Sequence, residues 1–165
     1  GFVYRDITKP WYISGDFYWV KQRDFNQRFS FRDYETFTGH LDFVWDTPIN
    51  GVRLILSGGR FLAKDSGVTV NLSKSFNSGF ILGFYATRTD ISFEEFGEGS
   101  FDKGFYFHIP VELFFDRHSK GLAGFGLRPI TRDGGAYLIH SHHLWGVTEQ
   151  AQNANLTRDW DDLYE

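Results

Sequence analysis

Three groups of residues have types and spacings that could do chemistry. Glu94, Glu95, Glu98 and Asp102 place four carboxylates among glycines in EEFGEGSFD. An oxygen-rich loop of this kind suits a hard cation such as Ca²⁺, and paired carboxylates can hydrolyse a glycosidic bond. The spacing matches no recognised Ca²⁺ loop. The plainer expectation is a solvated or strand-bridging loop, tied down by ion pairs to Lys103, Arg128 or Arg132. In the second group, Arg128, Arg132 and Asp133 surround the Gly134-Gly135 turn. Guanidinium forks grip carboxylate and phosphate bidentately, so an acidic polymer or a lipopolysaccharide phosphate is a fitting contact. The structural alternative is that these residues pin the turn. The third group, His140, Ser141, His142 and His143, invites a metal or a Ser-His site. A nucleophilic serine needs a base that is itself oriented by a third group. On a strand His140 and His142 share a side and Ser141 does not. No G-x-S-x-G elbow occurs. The expectation is therefore no catalytic residue, no metal and no cofactor, which reads the protein as a non-enzyme.

Composition narrows the partners and the class. The net charge of −4 leaves no basic footprint for nucleic acid. With no cysteine in 165 residues there is neither a disulfide framework nor a thiolate metal site. The chain is one domain's worth of length. Nineteen Phe, 8 Tyr and 5 Trp, with 18 Gly, favour strands joined by turns. No apolar run approaches the ~20 residues of a membrane-crossing helix.

Hydrophobic period supplies the elements that must position these groups. At Phe105, Phe107, Ile109, Val111 and Leu113 every second residue is apolar, with Tyr106, His108, Pro110 and Glu112 between them. That is a strand with one oily face. The same alternation predicts strands over 11–22, 36–46, 51–61, 66–76, 79–90, 102–115, 121–129 and 134–141, with residues 1–10 as a lead-in. Asn77 and Ser78 before Gly79 predict a tight hairpin. Residues 142–165 lose the period and form an irregular tail with a short helix near 155–163, expected on the periplasmic side.

Two connections are long, 23–35 and 91–101, and in an up-and-down meander both lie at the same end. Those at the other end, 47–50, 77–78 and 116–120, are short. Transmembrane barrels have this asymmetry, with short periplasmic turns and longer outer loops, and strands of ~9–11 residues suit a bilayer. The fold class expected is an all-β, antiparallel, up-and-down transmembrane β-barrel over 1–141, of about eight strands or part of a larger barrel. Trp11, Trp19, Trp45, Phe61 and Phe76 would form interfacial girdles. Tyr12, Asp16, Tyr18, His40, Asp42, Arg53, Asn71, Thr87 and Tyr106 would line the lumen. The soluble alternative is a carbohydrate-binding β-sandwich or small barrel.

Three blocks carry a family resemblance: RDFNQRFSFRDYETFTGHLDFVWDTP, EEFGEGSFDKGFYFHIPVELF and RPITRDGG. They resemble the C-terminal part of the YjbH/GfcD family of Gram-negative outer-membrane proteins of exopolysaccharide and capsule operons. The resemblance spans roughly residues 18–137. It implies an outer-membrane barrel that helps export a polysaccharide, here as a C-terminal portion of a longer protein. The implied partners are outer-membrane lipid, the exopolysaccharide chain and periplasmic or outer-membrane export proteins. It brings no catalytic residues. An enzyme acting on lipid A or polymer is a further alternative. Eight strands leave an interior just filled by side chains, so a polymer would not thread an isolated eight-stranded barrel.

Overall fold

The computed structural model of the chain describes residues 1–6, 8–23, 31–91, 101–114, 121–127 and 134–138. They form one antiparallel sheet of eight strands in sequence order: β1 (Phe2–Arg5), β2 (Trp11–Arg23), β3 (Phe31–Asp46), β4 (Val52–Arg60), β5 (Ser66–Ser75), β6 (Ile81–Thr89), β7 (Asp102–Pro110) and β8 (Leu122–Leu127). A single 3₁₀ turn, Val111–Phe114, follows β7. Each strand pairs with its neighbours in sequence. Among the described residues β1 and β8 do not pair with each other, so the sheet is open.

Turn chemistry sets the register. After β5, the Gly79 N–H donates to the Phe76 carbonyl at 2.9 Å, and the Phe76 N–H donates to Phe80 at the same distance. Gly79 has φ of +77°, a conformation that side chains with a Cβ avoid. The predicted hairpin at Asn77-Ser78 is present. The β3–β4 turn closes likewise, with the Thr47 N–H on the Val52 carbonyl at 3.0 Å.

The residues are distributed inside out. On β3, Phe37, Leu41 and Phe43 are exposed while Thr36, Thr38, His40 and Asp42 are buried. Register carries the apolar row across the sheet, through Leu41 opposite Gly58, Gly58 opposite Val68 and Phe43 opposite Leu56. Leu72 then faces Phe84, Phe84 faces Phe105 and Phe107 faces Phe125. Trp19 is 72% exposed and Leu127 65%, whereas Thr38 and Thr87 on the other face are each 1% exposed. We call these the outer and inner faces. Aromatic pairs lock neighbouring strands together on the outer face: Phe17 with Phe37 at 6.2 Å, and Phe107 with Phe125 at 5.3 Å. Cross-strand pairs of this type contribute ~0.2–1 kcal/mol each.

Several expectations are corrected. Residues 2–5 are no lead-in: Phe2 pairs with Gly15 and Arg5 with Tyr12, because Phe2 and Tyr4 continue the exposed apolar row. Residues 134–138 are not strand; they turn inward instead of joining the sheet edge. The connection expected at 23–35 is shorter, since β3 starts at Phe31 and Lys21 pairs with Glu35. Charge at those positions hid a strand end that extends past the apolar belt. β7 stops at Pro110, whose ring removes a ladder donor. Phe61 is no girdle residue but is fully buried. The tail at 142–165, including its expected helix, lies outside the described residues.

Candidate functional site

The inner face is where the candidate side chains converge. Strand period places Tyr12, Ser14 and Asp16 of β2 on it, and register sets Asp16 opposite His40, Ser14 opposite Asp42 and Tyr12 opposite Val44. The Ser14 hydroxyl donates to Asp42 Oδ2 at 3.3 Å. Further round the sheet the Thr69 and Thr87 hydroxyls are 2.8 Å apart. The Tyr106 hydroxyl donates to Asn71 Oδ1 at 3.0 Å. Polar groups without water need such partners, since an unmade hydrogen bond costs more than a made one contributes.

Residues 134–138 pack against this face at the end where the long connections lie. The Leu62 N–H donates to the Ala136 carbonyl at 2.9 Å. The Gly135 N–H donates to Asp65 Oδ2 at 2.8 Å. Tyr137 then lies against the inner face. Its ring is 4.5 Å from that of His40 and 4.8 Å from that of Phe61, meeting the latter edge-on at 83°. Its hydroxyl donates to Thr69 Oγ1 at 2.7 Å. One side chain thus links β3, the β4–β5 turn and β5. Burial pushes the Tyr137 hydroxyl up to about 12, opposed by its hydrogen bond with Thr69 and reinforced by the carboxylates of Asp42 and Asp16.

The sequence-predicted residues divide cleanly. Tyr12, Asp16, His40 and Asp42 are buried on the inner face, where Thr87 joins them. Tyr18, Arg53, Asn71 and Tyr106 are half-buried there. Arg53 Nε pairs with Asp46 Oδ1 at 2.6 Å near the short-turn end. Asp102, grouped from sequence with the acidic loop, is a buried strand residue opposite Thr87. Glu94, Glu95, Glu98, Arg128, Arg132, Asp133 and the His140–His143 run lie outside the described residues. The Phe61–Asp65–Tyr137 cluster was missed. The Gly-Gly pair signalled a turn there, but nothing in the period signalled that the turn folds inward.

The Ser14 hydroxyl meets a carboxylate, and His40 is packed against two rings. Among the described residues no group of three or more His, Asp or Glu is placed to hold a metal ion. No helix among them is long and apolar enough to cross a membrane, which says nothing of strands.

Comparison with known proteins gives the family. The profile of the YjbH family, described as exopolysaccharide biosynthesis protein, matches residues 1–150. An Escherichia coli (strain K12) protein named "Uncharacterized lipoprotein YjbH" is 40% identical over 151 residues, which cover 88% of this chain and 22% of that protein. The chain therefore spans about a fifth of that relative's length. No solved structure matches. The chain belongs to the YjbH family of exopolysaccharide biosynthesis proteins.

Proposed function

We propose that this member of the YjbH family is part of an outer-membrane β-barrel that serves exopolysaccharide biosynthesis and export without catalysing a reaction. The observation that carries the reading is the inside-out sheet: an exposed apolar outer face backed by a buried polar inner one. A water-soluble sheet does the reverse, whereas alternation with apolar out and polar in is the pattern of strands in lipid. The same observation weighs against a soluble carbohydrate-binding domain, which would expose contiguous apolar surface at a solubility cost. The relative's description as a lipoprotein of a Gram-negative bacterium supports an envelope location. Backbone edges in hydrocarbon must be paired, so the barrel closes beyond the pairings of β1 to β8.

In this reading Tyr12, Asp16, Tyr18, His40, Asp42, Arg53 and Tyr106 line the lumen, and Tyr137 fills it at the long-connection end. A filled interior is an accessory or anchoring barrel, not a polymer conduit. The chain meets polymer at its long loops, through Glu94, Glu95, Glu98, Arg128, Arg132 and Asp133, and export proteins at its short turns.

The test is the full-length protein in detergent and without it. Stability only in detergent, with heat-modifiable migration on a gel, is the expected result. Full solubility and unchanged folding in plain buffer would sink the reading. Loss of secreted polymer on deletion, with lipid A and polymer structure otherwise unaltered, is expected for a non-enzyme.

A further inference from the structure

The two ends of the outer face differ in their cations. At the short-turn end the lysines are engaged: Lys74 Nζ donates to the Asn50 carbonyl, and Lys9 pairs with Asp6 at 3.5 Å and caps the Trp11 ring at 5.2 Å. At the long-connection end, Arg60 closes β4, Arg88 is the last residue but one of β6 and Lys103 the second of β7. All three are exposed. Register puts each of them on the apolar outer face, since Arg60 is opposite Gly39 and Ser66, Arg88 opposite Val68 and Lys103 opposite Ala86.

No acid stands directly across from any of them, and among the described residues none has a carboxylate partner. Asp90, a described acid on that border, has Oδ1 occupied by the Ser66 N–H at 2.8 Å. Lys21 differs, because Glu35 is its cross-strand partner. Arg88 and Lys103 are diagonal neighbours, whose separation is ~7–8 Å. Arg60 lies two strands from Arg88, at ~4.8 Å per strand, within reach of long side chains that extend toward each other. Lys103 is already steadied over the Phe101 ring at 4.8 Å.

Three cations that have no carboxylate partner among the described residues and border an apolar belt, in a chain whose net charge is −4, match one kind of ligand. It must be apolar below and anionic at the border. We propose that Arg60, Arg88 and Lys103 form a binding site for the phosphate groups of a membrane glycolipid in the leaflet at the long-connection end. Guanidinium forks hold phosphate bidentately, the ammonium acts as a point charge, and the acyl chains lie on Val68, Val70, Phe84 and Phe105. The site rests on the membrane reading above.

The test reconstitutes the full-length protein in phosphatidylcholine vesicles doped with diphosphorylated lipid A or with its enzymatically dephosphorylated form, and quantifies lipid retained after detergent extraction. Lipid A should be enriched over phosphatidylcholine, and dephosphorylation should abolish the enrichment. The triple variant R60Q/R88Q/K103Q should lower it at least about tenfold, each cation near an anionic surface contributing severalfold, while K21Q leaves it unchanged. Heat-modifiable migration reports insertion separately. Insertion with equal retention by the triple variant overturns the lipid site alone, as does full displacement by dilute inorganic phosphate. A protein that inserts in no vesicle overturns the membrane reading and the site with it.

Discussion

Gly83 lies under the ring of Tyr106: a Cβ built on it would be 2.2 Å from Tyr106 Cζ. The two are register partners on β6 and β7, and the ring can lie flat across the strand only because its partner has no side chain. From there the Tyr106 hydroxyl reaches Asn71. A small residue beside a large one lets the crowded inner face pack without a clash. Gly83→Val should therefore destabilise the fold by ~1–3 kcal/mol, the usual cost of overpacking. Adding Tyr106→Ala should remove much of that cost. Urea titration of both single variants and the double variant measures the coupling, and simple additivity would mean the ring and the glycine are independent.

Val70 tests what the outer face meets. It is 42% exposed, in the middle of β5, between Leu56 and Ala86. If the face contacts hydrocarbon, Val70→Arg costs ~2–4 kcal/mol near the bilayer midplane. On a strand facing water the same change stays within ~0.5 kcal/mol. Equilibrium folding into vesicles separates the two values. Thr69 is adjacent but points inward to Thr87, so the effect belongs to one face and not to the strand.

The sequence was most legible where one strand period served two environments. Phe37 to Trp45 alternate cleanly because every odd position is outer and every even one inner, and β3 is found there with its faces correct. Legibility failed at strand ends. Phe31–Glu35 continue β3 beyond the apolar belt, where Arg32, Asp33 and Glu35 read as a loop because no apolar row marks them. It failed again where the chain leaves the sheet. Tyr137 follows a Gly-Gly turn and looks like the start of another strand, yet its stabilisation comes from His40, Phe61 and Thr69, contacts between residues far apart in sequence. Of the candidate site, the inner-face residues were legible from alternation. The outer cations were not, because identifying them requires register across β4 to β7.

Tyr137 makes a pH prediction with a definite sign. Its hydroxyl is pushed from the ordinary value of 10.0 up to about 12, mainly by burial. The unfolded chain ionises first, so the neutral, buried form stabilises the fold fully below pH 10 and that contribution is lost as pH rises toward about 12. Other tyrosines and lysines titrate there too, which makes the informative quantity the difference between the parent and Tyr137→Phe. The parent should lose more stability than the variant between pH 10 and 12. Parallel curves would mean that the hydroxyl is not held as described. At neutral pH the variant should lose ~1 kcal/mol for the missing hydrogen bond to Thr69.

Asp65 holds the inward segment by its backbone. Asp65 is 5% exposed and its carboxylate accepts the Gly135 N–H, while Gly135 has φ of +70°, so the contact is best removed from the Asp65 side. Asp65→Ala strips a buried donor of its acceptor, which costs ~1–3 kcal/mol, and the loss should be local because the Phe61–Asp65 turn keeps its own backbone bond at 2.8 Å. Asp65→Asn retains a carbonyl acceptor and should recover most of the loss. Hydrogen exchange at Gly135 is the direct readout: faster in the alanine variant, near the parent rate in the asparagine variant. Unchanged exchange in both would show that Tyr137, packed against His40 and Phe61, and the Leu62–Ala136 bond keep the segment in place without Asp65.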